Sequence, residues 1–333
     1  MTKDKRFNTE ILQPTDINVL RCAGRLQAGE LVAFPTETVY ALGAVATSSE
    51  AVEKVFDVKN RPKDRPLIVA VGKKSDIASV VKSIPEKAQK LIDEFMPGAL
   101  TLLFDRADCI PDIVTAGSES VAVRIPNNKV ALRLIELARA PVVVPSANTS
   151  EKPSPTLAQH VKDDLDGSIE YILDGGASEI GIESTIVDVR TEPPTVLRAG
   201  GVTVEQLQSV IGPVVSKLQV SKPSVDYAPT AEILFSAYYD GMKENIAARY
   251  DLLKGRGRSV VILALEGSRA AYGDRKVLSV GKDYCEYAHN LFAALRKADE
   301  LHCDTVIAEG VDRAGIGESL IARLIKLSGG NII

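Results

Sequence analysis

The stretch VKNRPKDRPLIVAVG, residues 58–72, decides how the chain is read. Its first half sets Lys59, Arg61, Lys63 and Arg65 at alternate positions between two prolines. Its second half is an unbroken apolar run whose β-branched content predicts a buried strand. Residues two apart in an extended segment face the same side. The spacing therefore predicts one row of four cations leading into a strand, and strand ends are where α/β proteins place ligands. Arg offers a planar fork for phosphate oxygens and Lys a point charge, a pairing suited to a polyphosphate. A solvated surface face is the plainer reading, but such a face mixes signs, and here Asp64 points the other way.

Outward from this stretch, helical and strand patterns alternate. Residues 14–30 hold a cap, Thr15 or Asp16, helical spacing, and Gly29 as a stop. LVAF (31–34) reads as a strand and PTETVYALGA (35–44) as a loop. Residues 48–58, 84–95 and 128–140 read as helices, and 99–104, 120–126 and 141–145 as strands. STIVDV (184–189) and PTVLRAG (194–200) read as paired strands, followed by a helix opened by a capping box of Thr203 and Gln206. The pattern lapses over residues 213–232, which hold three prolines and no sustained period, as a linker does. Strands at 258–265, 276–280 and 305–311 then alternate with helices at 284–301 and 318–327. The fold class expected is α/β: a twisted mixed sheet with helices over residues 1–212, the linker 213–232, and a smaller Rossmann-like parallel sheet over 233–333.

The composition restricts the function. With 45% hydrophobic and 25% charged residues the chain is globular, and without Trp its core must be aliphatic. A formal net charge of −4 gives no bulk attraction for nucleic acid or an acidic membrane, so any anion site is a local cluster. The opening MTKDKRFNTE has no apolar run of signal type, and the four cysteines show no paired spacing. Free thiols and a cytoplasmic location are expected. P-loop, H-E-x-x-H, G-x-S-x-G and G-x-G-x-x-G patterns are all missing. Of the three histidines, His160, His289 and His302, the last two lie on or beside the long C-terminal helix in surface or packing positions. A Ser-His-Asp or Cys-His device is therefore not expected, and a protein-bound zinc would be short of ligands.

Four further clusters carry polar chemistry. In VVVPSANTSEKPSPT (142–156), Ser146 and Asn148 follow a strand, and Ser154 before Pro155 predicts a helix cap able to face an anion. Arg124 lies within an apolar strand, where an unpaired guanidinium is costly, so it needs a carboxylate or phosphate partner; an internal salt bridge serves equally well. Ser184 and Thr185 in GIESTIVD and Arg198 in VLRAGG form a third set. Thr36, Glu37, Thr38 and Tyr40 in FPTETVYALGA are either turn chemistry or a pocket wall.

Together the segments FPTETVYALGA, KNRP with PLIV, PGALTLLF, VAVRIP, PSANTSEKPSPT, IESTIVDV and LRAGG occur in an order that resembles the L-threonylcarbamoyladenylate synthase family, whose catalytic part is the YrdC-like domain. The resemblance spans residues 17 to about 212, and the remainder resembles the C-terminal part of the family's two-domain form. The pairing of K-x-R (Lys59, Arg61) with S-x-N (Ser146, Asn148) is its most specific part. It implies synthesis of threonylcarbamoyl-AMP and pyrophosphate from ATP, L-threonine and bicarbonate. The product serves a separate tRNA threonylcarbamoyl transferase, which modifies the adenosine beside the anticodon. By resemblance, Lys59 and Arg61 are catalytic and, with Lys63, Ser120, Ser146, Asn148, Ser154, Arg198 and Tyr227, contact ATP. Thr36, Ile68, Arg124, Val144 and Ser184 contact L-threonine. Mg²⁺ is implied as the cofactor, held mainly by ATP phosphates rather than by protein ligands. Stable nucleic-acid or membrane binding is not expected. Two departures stand out: Ala70 where many members carry histidine, and Asp226 before Tyr227 where a histidine is usual. The alternatives are an RNA-binding YrdC-like module without adenylylation activity, and a hydrogenase-maturation carbamoyl transferase. The latter would bring paired-cysteine zinc motifs that this chain lacks.

Overall fold

The computed structural model describes residues 7–150, 152–217 and 230–333. They form two compact units, the first drawn from residues 7–217 and the second chiefly from 230–333.

In the first unit the strands are β1 (Glu10–Leu12), β2 (Val32–Phe34), β3 (Ala41–Val45), β4 (Ile68–Ala70), β5 (Leu100–Asp105), β6 (Ser120–Arg124), β7 (Val142–Val143), β8 (Tyr171–Leu173), β9 (Thr185–Asp188), β10 (Thr195–Arg198) and β11 (Val215–Ser216). They make one mixed sheet in the order β1-β8-β2-β3-β7-β4-β6-β5-β9-β10-β11. Helices Asp16–Gln27 and Lys129–Ala138 cover part of one face. Val19, Cys22, Ala23 and Leu26 of the first pack with Ala131, Leu134 and Ile135 of the second over Phe34, Ala70 and Val142. Each fully buried Leu here stabilises by about 1.5–3 kcal/mol.

Local chemistry explains most of the boundaries. Thr15 caps the first helix, its Oγ1 accepting the Asn18 N–H at 3.3 Å. Asn128 caps Lys129–Ala138, accepting from Val130 and Ala131, and Thr203 and Gln206 form the expected capping box. Gly29 takes the left-handed conformation just past a helix end. β9 and β10 pair antiparallel, as expected.

The structure corrects the sequence reading at four places. The cationic row is not extended: Lys59 is the last residue of helix Ser49–Lys59, and Asn60 turns the chain out of it in a left-handed conformation. The expected loop 35–44 contains most of β3, whose small residues hide a strand from pattern reading. Gly43 lets it lie flat on β2, since a Cβ there would come within 2.7 Å of the Phe34 ring. Ser154 caps no helix; helix Ala158–Leu165 starts later, with Leu157 at its cap position and no side-chain bond there. Finally, β11 lies beyond residue 212 and pairs parallel with β10, so the first unit takes in the start of the stretch read as linker.

The second unit is a four-stranded parallel sheet of β12 (Glu232–Phe235), β13 (Val260–Ala264), β14 (Val277–Ser279) and β15 (Thr305–Ala308), in the order β12-β15-β13-β14. β12 and helix Met242–Gly255 were not read from sequence. Beyond the carboxyl ends of β13 and β15, where such sheets bind ligands, buried Glu309 accepts the Leu265 N–H at 2.9 Å. The Tyr287 hydroxyl donates to the Glu309 carbonyl at 3.0 Å. Tyr272 and Tyr287 are fully buried in this unit.

Among the described residues no helix is long and apolar enough to cross a membrane. All four cysteines are free, Cys22 and Cys303 buried, Cys109 and Cys285 exposed.

Candidate active site

Several of the polar residues singled out from the sequence come together on the sheet of the first unit. Register places Ala70 of β4, Arg124 of β6 and Thr101 of β5 side by side. Register partners point to the same face, so these three share it. Ile68, Ala122 and Leu103 form the next row on that face and are half-buried. Val144 follows β7 and donates its N–H to the Ile68 carbonyl at 2.9 Å, which puts the two expected threonine-pocket walls next to each other.

Arg124 has the carboxylate that its burial demanded. Its Nη2 donates to Glu37 Oε1 at 2.7 Å and its Nη1 to Thr38 Oγ1 at 3.1 Å, with both members of the ion pair almost fully buried. Thr36 organises the same turn: its hydroxyl donates to the Val39 carbonyl at 2.6 Å and accepts from the Thr38 and Val39 N–H groups. The segment 36–39 is thus both turn chemistry and site wall.

Across β5, Thr101 Oγ1 lies 2.8 Å from Ser184 Oγ. Arg198 grips the same serine twice, donating from Nη2 to its hydroxyl at 3.0 Å and from Nε to its carbonyl at 2.9 Å. This contact depends on Gly200. A Cβ at that position would fall 2.2–2.4 Å from Glu183 O, Ser184 C and Thr185 N, so the chain after Arg198 closes on β9 only without a side chain. Next to it, the buried Ser154 hydroxyl donates to Glu183 Oε1 at 3.0 Å.

The Lys59 ammonium is buried and donates to two backbone carbonyls, those of Ser146 and Asn148, the latter at 2.5 Å. Desolvation, and then the neighbouring Arg61 charge, push its pKa down to about 7, against a partial upward pull from Asp164. The Asn148 side chain donates to the Thr149 carbonyl at 2.9 Å. The carbonyl of Tyr40 accepts the Ala147 N–H at 2.9 Å, so the S-x-N turn is pinned between the helix end and β3. Arg61 is half-buried and donates to the Pro66 carbonyl at 3.3 Å. Lys63 is exposed and its ammonium sits on the Glu53 carboxylate, which raises its pKa. Ser120 opens β6 with its hydroxyl 2.8 Å from that of Ser118. Tyr227 and Asp226 lie outside the described residues.

The sequence reading assigned no role to Glu183 or Thr101 and took Glu37 only as turn chemistry or a pocket wall. Both glutamates stand inside quoted motifs, PTET and GIEST, and the buried guanidinium of Arg124 was the available sign that one carboxylate would turn inward. Thr101 sits in an apolar strand pattern and carried no such sign.

Comparison with known proteins places this architecture. The first unit shares the fold of YciO from E. coli, with a TM-score of 0.53 at 19% identity over 61% of this chain and 99% of that one. That likeness shows the fold, an α/β protein built on a large mixed sheet. Residues 25–200 match the Sua5/YciO/YrdC family, described as "Telomere recombination", and residues 202–329 match "Threonylcarbamoyl-AMP synthase, C-terminal domain". The chain is 41% identical to the threonylcarbamoyl-AMP synthase of Pyrococcus abyssi, covering 93% of this chain and 94% of that one. It is also 41% identical to that of Bacillus subtilis, covering 99% of both. The crystal structure of P. abyssi Sua5 complexed with L-threonine aligns with a TM-score of 0.90 at 39% identity, over 98% of this chain and 97% of that one. The chain belongs to the threonylcarbamoyl-AMP synthase family, in its two-domain form.

Proposed function

We propose that this enzyme makes threonylcarbamoyl-AMP and pyrophosphate from MgATP, L-threonine and bicarbonate, supplying a downstream transferase that modifies tRNA. The observation that carries the reading is the near full-length match to P. abyssi Sua5, a synthase whose structure holds L-threonine. The geometry supports it. Threonine and bicarbonate give a carbamate whose oxygen attacks the α-phosphorus and expels pyrophosphate. This needs positioning and stabilisation of spreading negative charge, not an enzyme nucleophile.

In this reading Thr36, Arg124 and Ser184 hold threonine against Ile68 and Val144. Lys59, Arg61, Ser120, Ser146, Asn148, Ser154, Arg198 and Tyr227 serve the nucleotide. Mg²⁺ arrives as part of the MgATP substrate. Lys59 acts in two ways, fixing the Ser146–Asn148 turn through its carbonyls and bringing positive charge to the phosphates. Lys63 reaches the phosphates only by leaving Glu53. A bare RNA-binding module is not favoured: two cations of the expected row, Lys59 and Lys63, are spent on backbone carbonyls and a carboxylate rather than presented together. The test is incorporation of label from isotopically labelled bicarbonate into a threonine- and AMP-containing product, read by mass spectrometry. Threonine-independent labelling, or none, refutes the proposal.

A further inference from the structure

The Arg124–Glu37 ion pair makes one bond where its chemistry allows two. A guanidinium and a carboxylate can join side by side through two parallel N–H···O bonds. Here Nη2 to Oε1 is made at 2.7 Å. Arg124 Nε and Glu37 Oε2 are both buried and have no hydrogen-bond partner among the described residues. Buried polar atoms rarely stay unbonded, because each forfeits its hydration. The pair therefore holds one unmet donor and one unmet acceptor, and Arg124 shares its strand face with Thr101, whose hydroxyl meets that of Ser184. A ligand that meets both must carry an anionic acceptor and a cationic or neutral donor a few bonds apart. A free α-amino acid has that arrangement in its carboxylate and ammonium.

We propose that Glu37 is the residue that holds the substrate's α-amino group, through Oε2, while Arg124 takes the α-carboxylate. The inference rests on the threonine reading above and adds to it the group that selects an amine. Glu37 is 3% exposed, so the substrate reaches Oε2 by a turn of the carboxylate about its terminal torsion, a broad and soft rotation. The same contact orients the nitrogen that becomes the carbamate. The Glu37 carboxylate is held by Arg124, which also bonds the Thr38 hydroxyl, and the Glu37 backbone lies in the turn that Thr36 organises, an arrangement suited to such orientation.

The experiment compares L-threonine with β-hydroxybutyrate, which is threonine without its α-amine, by calorimetry on the full chain and on Glu37→Gln. The wild type is expected to prefer threonine by at least ~100-fold, since a site built to hydrogen-bond a group rejects ligands lacking it. In Glu37→Gln that preference is expected to fall below ~10-fold, with MgATP affinity unchanged as the check on folding. Equal binding of the two ligands by the wild type overturns the proposal without recourse to any variant. So does a Glu37→Gln protein that keeps the wild-type preference. A wild type that binds neither ligand overturns the threonine reading itself, and this assignment with it.

Discussion

The Lys59 ammonium lies 2.5 Å from the Asn148 carbonyl, while the Lys59 carbonyl accepts the Ser150 N–H at 2.7 Å. One residue thus stitches a helix end to the S-x-N turn from both its side chain and its backbone. The two halves of the family's most specific motif pair are one structural unit, although almost ninety residues separate them. Positive charge at a helix C-terminus is also favoured by the helix dipole, which eases the burial of this lysine.

Removing that stitch costs function and stability together. Lys59→Met leaves two carbonyls without their donor, at about 1–3 kcal/mol each, and frees the turn that carries Ser146 and Asn148. Pyrophosphate release is expected to fall by at least ~100-fold. Urea unfolding of the variant is expected to show a lower midpoint with an unchanged slope. A variant with wild-type turnover removes Lys59 from the site.

The depressed pKa of Lys59 gives a pH signature with a definite sign. Between about 7 in the folded chain and 10.5 in the unfolded one, the unfolded state binds the proton and the folded state does not. This group's contribution to stability therefore rises with pH across that window and is smallest below it. Phosphate placed beside the amine reverses the shift, so MgATP binding at about pH 8 is expected to take up close to one proton. Calorimetry in two buffers of different ionisation enthalpy measures the uptake. Lys59→Met is expected to abolish it, and an unchanged uptake in that variant contradicts the assignment.

The Arg124–Glu37 pair predicts non-additive stability. Arg124→Met leaves a buried carboxylate without its cation, a loss of about 3–5 kcal/mol. Arg124→Met combined with Glu37→Gln removes both charges and is expected to recover at least ~1 kcal/mol of that loss. Chemical denaturation of the two single variants and the double variant measures the coupling. Simple additivity would mean that the two groups do not sense each other.

Gly200→Ala tests the geometry behind the Ser184–Arg198 contact. A methyl within 2.2–2.4 Å of the Glu183–Thr185 backbone must push β10 from β9, and all three close atoms belong to the main chain. A loss of about 1–3 kcal/mol is expected, together with a raised threonine KM as Ser184 shifts. Gly176→Ala is the control for alanine at a glycine, because its Cβ meets nothing within 4 Å and its only penalty is its left-handed backbone.

Much of this was legible in the chain because local chemistry and tertiary structure agree. Thr15, Asn128 and the Thr203–Gln206 box sit where their helices begin, and the β-branched run at 67–71 contains buried strand β4. Short elements were lost for an equally physical reason. β1, β8 and β12 are three or four residues each, too short for any period to show. β3 is built of Ala, Leu, Gly, Ala and Val, and its partners, not its composition, make it a strand. At the site, residue types pointed to the right neighbourhood but not to the bonding. The alternation of Lys59, Arg61 and Lys63 suggested a shared face, yet a helix end separates the first, on buried carbonyls, from the last, on exposed Glu53. The carboxylate that neutralises Arg124 lies 87 positions away in sequence, a pairing no local pattern can reveal.

The central claim is tested most directly by pyrophosphate release from MgATP, measured with L-threonine and bicarbonate each added or withheld. The account predicts release only when both are present, with label from bicarbonate appearing in the adenylylated product. Release that ignores threonine, or none with all three substrates supplied, would contradict it.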